Sequence, residues 1–327
     1  MRKTMLAIAV AGALANLASP AGAQDVWPTR PVTLVVPWAA GGPVDTVARI
    51  VAARMSELLG QQMVIENVGG AGGMTGTARV AKAAPDGYTV LLSGSAVLAQ
   101  NPLFHKRTPY DPIADFAHAA LFSDSARVLI ARKDFPPNNF KEFMAYVKEH
   151  QSTLQYGSSG AGGGAHTCAI LLDGAMGVKI THVPYRGAGP AMQDLVGGRL
   201  DYMAEQISTA TPQIKSGTVK AYATFGTDRG PGLENIPTAK ELGVEGLDCG
   251  AWGSFSFPKD TPTEIVQRLA KASSDAIDTP AVIERYKAIG VVVTAKDRRS
   301  PEYLTRYVKS ELERWAVPIK ASGVTLD

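Results

Sequence analysis

The stretch VTLVVPWAAGGPVDTVARIVAARMSELLGQQMVIENV (Val32–Val68) contains the repeating unit of the whole chain. A run of β-branched residues ends at Pro37 and gives way to a small-residue turn, Trp38-Ala39-Ala40-Gly41-Gly42. Pro43 suits the first turn of a helix, and Val44, Val47, Ala48, Val51, Met55 and Leu58 recur at steps of three and four until Gly60 stops the pattern. A second strand-like run, QMVIENV, follows at once. Strand, turn, helix and strand in this order form the βαβ unit of a parallel sheet.

The pattern repeats outward. The turn NVGGAGG (Asn67–Gly73) opens a small-residue helix, and PDGY leads into the strand-like TVLLSGS with its Ser93-Gly94-Ser95 turn. After a connecting stretch, LFSDSARVLIARKDFPPNNF, a second set begins: helix-like NFKEFMAYVKEH, strand-like LQYGSS, the turn SSGAGGGAH (Ser158–His166), helix-like HTCAILLDGAM, strand-like KITHVPY, helix-like PAMQDLVGG and strand-like RLDYMAEQ. VKAYATFG reads as another strand. The tail, with helix-like TEIVQRLAKASSDAI and PEYLTRYVKSELERWAVPIKA, lacks a complete third set of strands and is expected to pack back on the first domain. The expectation is two α/β lobes, residues 24–125 with 226–327 and residues 126–225, crossing near Ser125 and Phe225. In open α/β sheets ligands bind outside the carboxyl ends of strands, so the turns after strands should line a cleft.

At the N-terminus, Arg2 and Lys3 precede an apolar run from Met5 to Leu17, and Ala21-Gly22-Ala23 has the small-x-small form of a secretory cleavage site. Residues 1–23 read as a signal peptide cleaved after Ala23, with the periplasm as destination. The run is roughly a dozen residues, short of the about 20 that span a bilayer. Removing Arg2 and Lys3 takes 33 basic residues to 31 against 30 acidic ones, a formal charge of +1. So small a charge supplies no long-range field for nucleic acid or membrane, and an anion must be bound locally. An apolar fraction of 45% with 19% charged residues fits an ordinary globular protein, and the length favours two domains. Cys168 and Cys249 would meet an oxidising compartment; a disulfide and two separately buried thiols both remain open, because spacing does not show proximity.

Glycine-rich turns before helices expose unpaired backbone N–H groups backed by the helix dipole, so an anion can dock there without lysine or arginine. The candidates are Trp38, Ala39, Ala40, Gly41 and Gly42, then Ser93 and Ser95, and Ser158, Ser159, Gly163 and Gly164. Asp45 sits where it caps the first helix, or binds through water. His166 donates to an anion or caps and packs; Arg186, ahead of Gly187 and Ala188, offers a fork that matches a carboxylate, or is a solvated surface arginine. Enzyme motifs fail. YGSSG is not G-x-S-x-G, GGAGGMTG has Thr75 where a dinucleotide fingerprint needs its third glycine, and no P-loop lysine or H-E-x-x-H spacing occurs. An exported hydrolase using Ser159 and His166 is the weaker alternative, and no cofactor or metal is implied.

Four segments, WPTRPVTLVVPWAAGGPVDTVAR, LGQQMVIENVGGAGGMTGTARVAKAAPDGYTVLLSGS, THVPYRGAGPAMQDLVGGRLDYM and GTDRGPGLENIPTAKELG, resemble the extracytoplasmic solute receptors of tripartite tricarboxylate transporters, the Bug proteins. The resemblance is ordered and covers nearly the whole mature chain. It implies a Venus-flytrap periplasmic-binding-protein fold, monomeric, whose lobes close on a carboxylate-bearing solute and deliver it to a membrane permease. A receptor reporting to a sensor kinase would have the same fold. Many relatives carry a Ser or Thr hydroxyl two or three residues before the histidine, where this chain has Gly163 and Gly164. That departure suggests extra room which, with Trp38, points to a bulkier ligand such as an aromatic mono- or dicarboxylate. Glu205 is an unusual acid beside an anion and favours a ligand with a donor group, or points away.

Overall fold

The VTLVV run forms β1 (Val32–Val36), and the computed structural model describes residues 27–226 and 228–326. The expected signal peptide and its cleavage after Ala23 lie outside the described residues. After β1 come α1 (Pro43–Leu59), β2 (Met63–Asn67), α2 (Met74–Ala81) and β3 (Thr89–Gly94), with β1 parallel to both β2 and β3. Helix α1 buries Val47, Ala48, Val51 and Met55 as the periodicity predicts, but its last turn buries Leu59 and leaves Leu58 38% exposed. Ile50 and Ala52 are buried too, because C-terminal helices cover the far side of α1 and widen its buried arc.

The stretch read as a connection is largely strand. It holds the end of β4 (Phe116–Ser125) and all of β5 (Arg127–Arg132), separated by Ala126 alone. Charged residues disguise these strands in sequence, and partners in space make their burial tolerable: Asp124 meets Arg298 at 3.2 Å and Arg132 meets Asp201 at 3.3 Å. Then follow α3 (Phe140–Glu149), β6 (Gln155–Ser158), α4 (Gly164–Met176), β7 (Thr181–Pro184), α5 (Ala188–Val196), β8 (Tyr202–Gln206), α6 (Ile207–Lys215) and β9 (Val219–Phe225). They build a sheet of order β7-β6-β8-β5-β9.

The chain ends with β10 (Ala251–Pro258), α7 (Thr263–Ile277), α8 (Pro280–Ala288), β11 (Val292–Val293) and α9 (Pro301–Ala321). Strand β10 inserts antiparallel between β3 and β4, completing a sheet of order β11-β4-β10-β3-β1-β2. Its AWGSFSFP pattern sends Phe255 and Phe257 into the core while Ser254 and Ser256 join a polar cluster with Ser93. Leu304, Val308, Trp315 and Ile319 of α9 are buried in the core. Beyond α9, Leu326 N donates to Phe104 O at 2.9 Å. Residues 228–249 stay beside the second sheet, however. Thr238 bridges Thr224 of β9, and Ala239 N donates to Thr224 O at 2.9 Å. Cys168 of α4 and Cys249 are joined as a disulfide, with Cα atoms 5.6 Å apart. The result is a two-lobed α/β fold with a cleft between its sheets.

Candidate ligand cleft

The first wall comes from the turn after β1. Gly42 is extended at the start of α1 and Pro43 occupies the first turn, so Asp45 is carried back toward the turn it follows. Its Oδ2 accepts from Gly41 N and Arg49 Nε, both at 3.0 Å, and its Oδ1 accepts from Asn67 Nδ2 at 3.1 Å. Arg49 Nη2 adds an ion pair at 2.9 Å. Burial pushes the Asp45 carboxyl up, but the Arg49, Gly41 and Asn67 hydrogen bonds and the Arg49 charge outweigh it, leaving the group below its ordinary range and ionised. The Gly41 N–H, expected to face an anion, is therefore committed to Asp45, and Ala40 and Gly41 are exposed outside the cavity.

The opposing wall comes from the second sheet, and the two walls touch. Ala39 N donates to Arg186 O at 3.2 Å, and a Cβ built on Gly42 would lie 3.7 Å from the Ala188 Cβ. Between them lies a cavity of about 760 Å³, open solvent included. From the predicted set, Trp38, Ala39, Gly42, Asp45, Ser93 and Ser95 line it from one lobe and Ser159, Gly164, Ala188 and Glu205 from the other. The Ser93 hydroxyl is held by Ser254 Oγ at 2.8 Å and Ser256 Oγ at 3.0 Å.

With Ala40 and Gly41, the remaining five predicted residues also fall outside the lining. Ser158 is fully buried, bonded to His182 Nε2 at 2.6 Å. Gly163 caps α4, its carbonyl accepting from Thr167 N at 2.9 Å. His166 takes the capping alternative: its Nδ1 accepts from Gly162 N at 3.0 Å and its ring stacks on His182 with centroids 4.0 Å apart. Burial pulls His166 down to about 4, and burial plus the His166 charge pull His182 to about 3, so both are neutral at pH 7 and supply no cation. The Arg186 side chain is exposed, and its contribution is the carbonyl that joins the lobes. Gly187 is buried against the turn, where an added Cβ would come within 2.9 Å of Ala39 N.

The cleft also contains residues absent from the sequence-based set: Arg127, Ser123, Ser125, Gln206 and Trp252 among them. Trp252 faces the cavity with Trp38, and its Nε1 donates to Glu311 Oε2 at 3.0 Å. Arg127 opens β5, 3% exposed, with Nε donating to Cys249 O at 3.1 Å. A signal existed for it, an arginine between small residues and the apolar VLIA of a strand that needs no surface charge. The glycine at 164 does not leave free room. A Cβ there would lie 2.1 Å from Arg127 Nη2, so the guanidinium fills the space that had suggested a bulkier aromatic ligand. Glu205 turns one oxygen to the start of α6, where Oε1 accepts from Gln206 N at 2.9 Å and Thr209 Oγ1 at 3.0 Å.

Comparison with known proteins agrees with this architecture. The profile of the Tripartite tricarboxylate transporter family receptor matches residues 47–324. A UPF0065 protein of Agrobacterium vitis, from the TAR-I ttuE-ttuC' intergenic region, is 44% identical over 303 residues, covering 93% of this chain and 87% of that protein. Among solved structures, the periplasmic binding protein BugD superposes with a TM-score of 0.89 at 41% identity, covering 91% of this chain and 99% of BugD. MatC from Rhodopseudomonas palustris with bound malate superposes at 0.87 with 40% identity, covering 90% of this chain and 100% of MatC.

Proposed function

The chain belongs to the tripartite tricarboxylate transporter receptor family, and from that premise we propose that it captures a carboxylate-bearing small molecule in the periplasm and delivers it to the membrane permease of such a transporter. The observation that carries this reading is the cavity lined from both sheets and bounded by the turns after β1 and β6, with a buried cation, Arg127, at its wall. MatC, similar over nearly its whole length, holds malate. In this reading residues 27–125 and 251–326 form one lobe and residues 126–249 the other, so the second crossing falls near Gly250 instead of Phe225. The protein acts as a monomer whose closure around the ligand presents it to the permease, because a ligand that favours the closed state shifts that population.

A receptor role needs no chemical step. The two close serine–histidine pairs among the described residues, Ser158 with His182 and Ser256 with His118, both have their serine fully buried and outside the cavity lining. A thermal-shift series with malate and a panel of aliphatic, amino and aromatic carboxylates tests the proposal. A ligand at a hundred times its Kd should stabilise the folded state by about 2.7 kcal/mol. The absence of any shift with every carboxylate at millimolar concentration would overturn it.

A further inference from the structure

We propose that Arg127 is the specificity-determining residue of the cleft: its guanidinium, seated against the bare backbone of Gly164, binds a ligand carboxylate directly, while Glu205 Oε2 accepts from a hydroxyl or ammonium group of the same ligand. This rests on the receptor reading above and narrows it to carboxylates that carry a hydrogen-bond donor.

Three observations carry it. The Arg127 side chain lines the cavity although the residue is only 3% exposed, and its one hydrogen bond among the described residues is from Nε to Cys249 O at 3.1 Å. Both Nη atoms remain to be matched, and a planar fork of this kind pairs with a carboxylate in two parallel hydrogen bonds. Burial draws the group down to about 10 against the pull of the Glu205 charge, so it stays a cation at neutral pH. The anchoring carbonyl is itself fastened, since Cys249 is disulfide-bonded to Cys168 of α4.

Second, Gly164 is required by this placement. An added Cβ would stand 2.1 Å from Arg127 Nη2, 3.0 Å from its Cζ and 3.1 Å from Gln100 Oε1. Gln100 is fully buried, and neither of its amide atoms has a hydrogen-bond partner. The bare backbone at the start of α4 thus trades a side-chain hydroxyl for a cation reaching over from the neighbouring strand.

Third, Glu205 lines the same cavity at 1% exposure, with Oε1 committed to Gln206 and Thr209 and Oε2 buried without a partner. The other cavity acid, Asp45, has both oxygens engaged by Arg49, Gly41 and Asn67. Burial pushes the Glu205 carboxyl above its ordinary range against the pull of the Arg127 charge, and Arg127 and Glu205 are the ionisable pair in the lining with atoms left for a ligand. An unpaired buried acceptor costs free energy until a donor meets it, which favours a ligand bringing one.

The test is calorimetric titration of the protein with succinate, malate and aspartate, which share a four-carbon dicarboxylate frame and differ in the donor beside one carboxylate. Wild type is expected to bind malate or aspartate at least about tenfold more tightly than succinate. Arg127→Met should weaken all three about 10- to 100-fold, the range for a charge-assisted hydrogen-bonded pair, with the unliganded Tm unchanged or raised. Gly164→Ala keeps the cation but displaces it, and should weaken binding likewise, so the conclusion does not hang on one variant's folding. Glu205→Gln should erase the preference over succinate. If Arg127→Met and Gly164→Ala both bind within threefold of wild type, the role of Arg127 is overturned while the receptor reading stands. A wild type that binds succinate as tightly as malate and aspartate overturns the role of Glu205. A wild type silent to every carboxylate overturns both this inference and the receptor reading.

Discussion

Lobe closure can be blocked at a single glycine. Gly72 lies in the turn between β2 and α2 at φ +62°, and a Cβ added there would stand 2.2 Å from Ala161 O of the opposite lobe's glycine turn. That carbonyl is backbone and cannot rotate away, so Gly72→Ala must push the lobes about 1 Å apart. The cost falls on the closed state alone. Losing one inter-lobe hydrogen bond such as Ala39 N to Arg186 O contributes about 1 kcal/mol, and the separated packing about as much again. About 2 kcal/mol corresponds to roughly a 30-fold loss of affinity for whichever carboxylate binds wild type best. The added residue also strains the left-handed backbone by roughly 1–2 kcal/mol in open and closed states alike. It disturbs the bonds from Asn101 Nδ2 to Ala71 O and Gly72 O, both 3.1 Å, which lowers Tm without acting on closure. Gly60→Ala separates the two effects, because Gly60 has φ +71° with nothing within 4 Å of its added Cβ. Titration calorimetry should find Gly60→Ala less stable but binding normally, and Gly72→Ala binding about 30-fold more weakly. Equal affinity in the two variants would refute the closure argument.

Two further perturbations follow from buried groups. Burial holds His118, His166 and His182 neutral, at about 4, about 4 and about 3, so their contribution is complete above their ordinary 6.5 and is lost as pH falls from there toward 4. Burial pushes Asp173 the other way, to about 7, so the folded state holds one proton more than the unfolded state through that window. The balance is about two protons, or at most about 2.7 kcal/mol per pH unit. Urea denaturation between pH 4.5 and 6.5 should show stability falling with acid, more steeply in Asp173→Asn; a flat profile contradicts the assignment. Reduction of the Cys168–Cys249 disulfide, which closes a loop of sequence separation 81, should cost up to about 4.5 kcal/mol by chain entropy, read as a lower Tm in dithiothreitol. An unchanged Tm after thiol titration shows the bond open would contradict that figure.

Much of this architecture follows from local pattern. The β-turn-α repeat, the face of α1 up to Met55 and the position of glycine turns after strands all rest on spacing within one or two turns of chain, which sequence displays directly. The family resemblance rests on such segments too. What sequence left open depends on residues far apart meeting. The end of β4 and all of β5 read as a connection, and β10 is not marked as a strand, because their charges and serines find partners in distant segments: Asp124 in Arg298, Ser254 in Ser93. The sequence presents the Gly41 N–H as a donor to ligand, yet Asp45 four residues on already consumes it. Arg186 and Arg127 are both arginines near small residues. Only the packing of β5 under the start of α4 buries Arg127 and leaves Arg186 at the surface. By itself the sequence determined the α/β repeat, the family and the order of the glycine turns after the strands. Tertiary structure decided which groups in those turns are still free to bind, because a hydrogen-bonding group is available only when no distant partner has taken it.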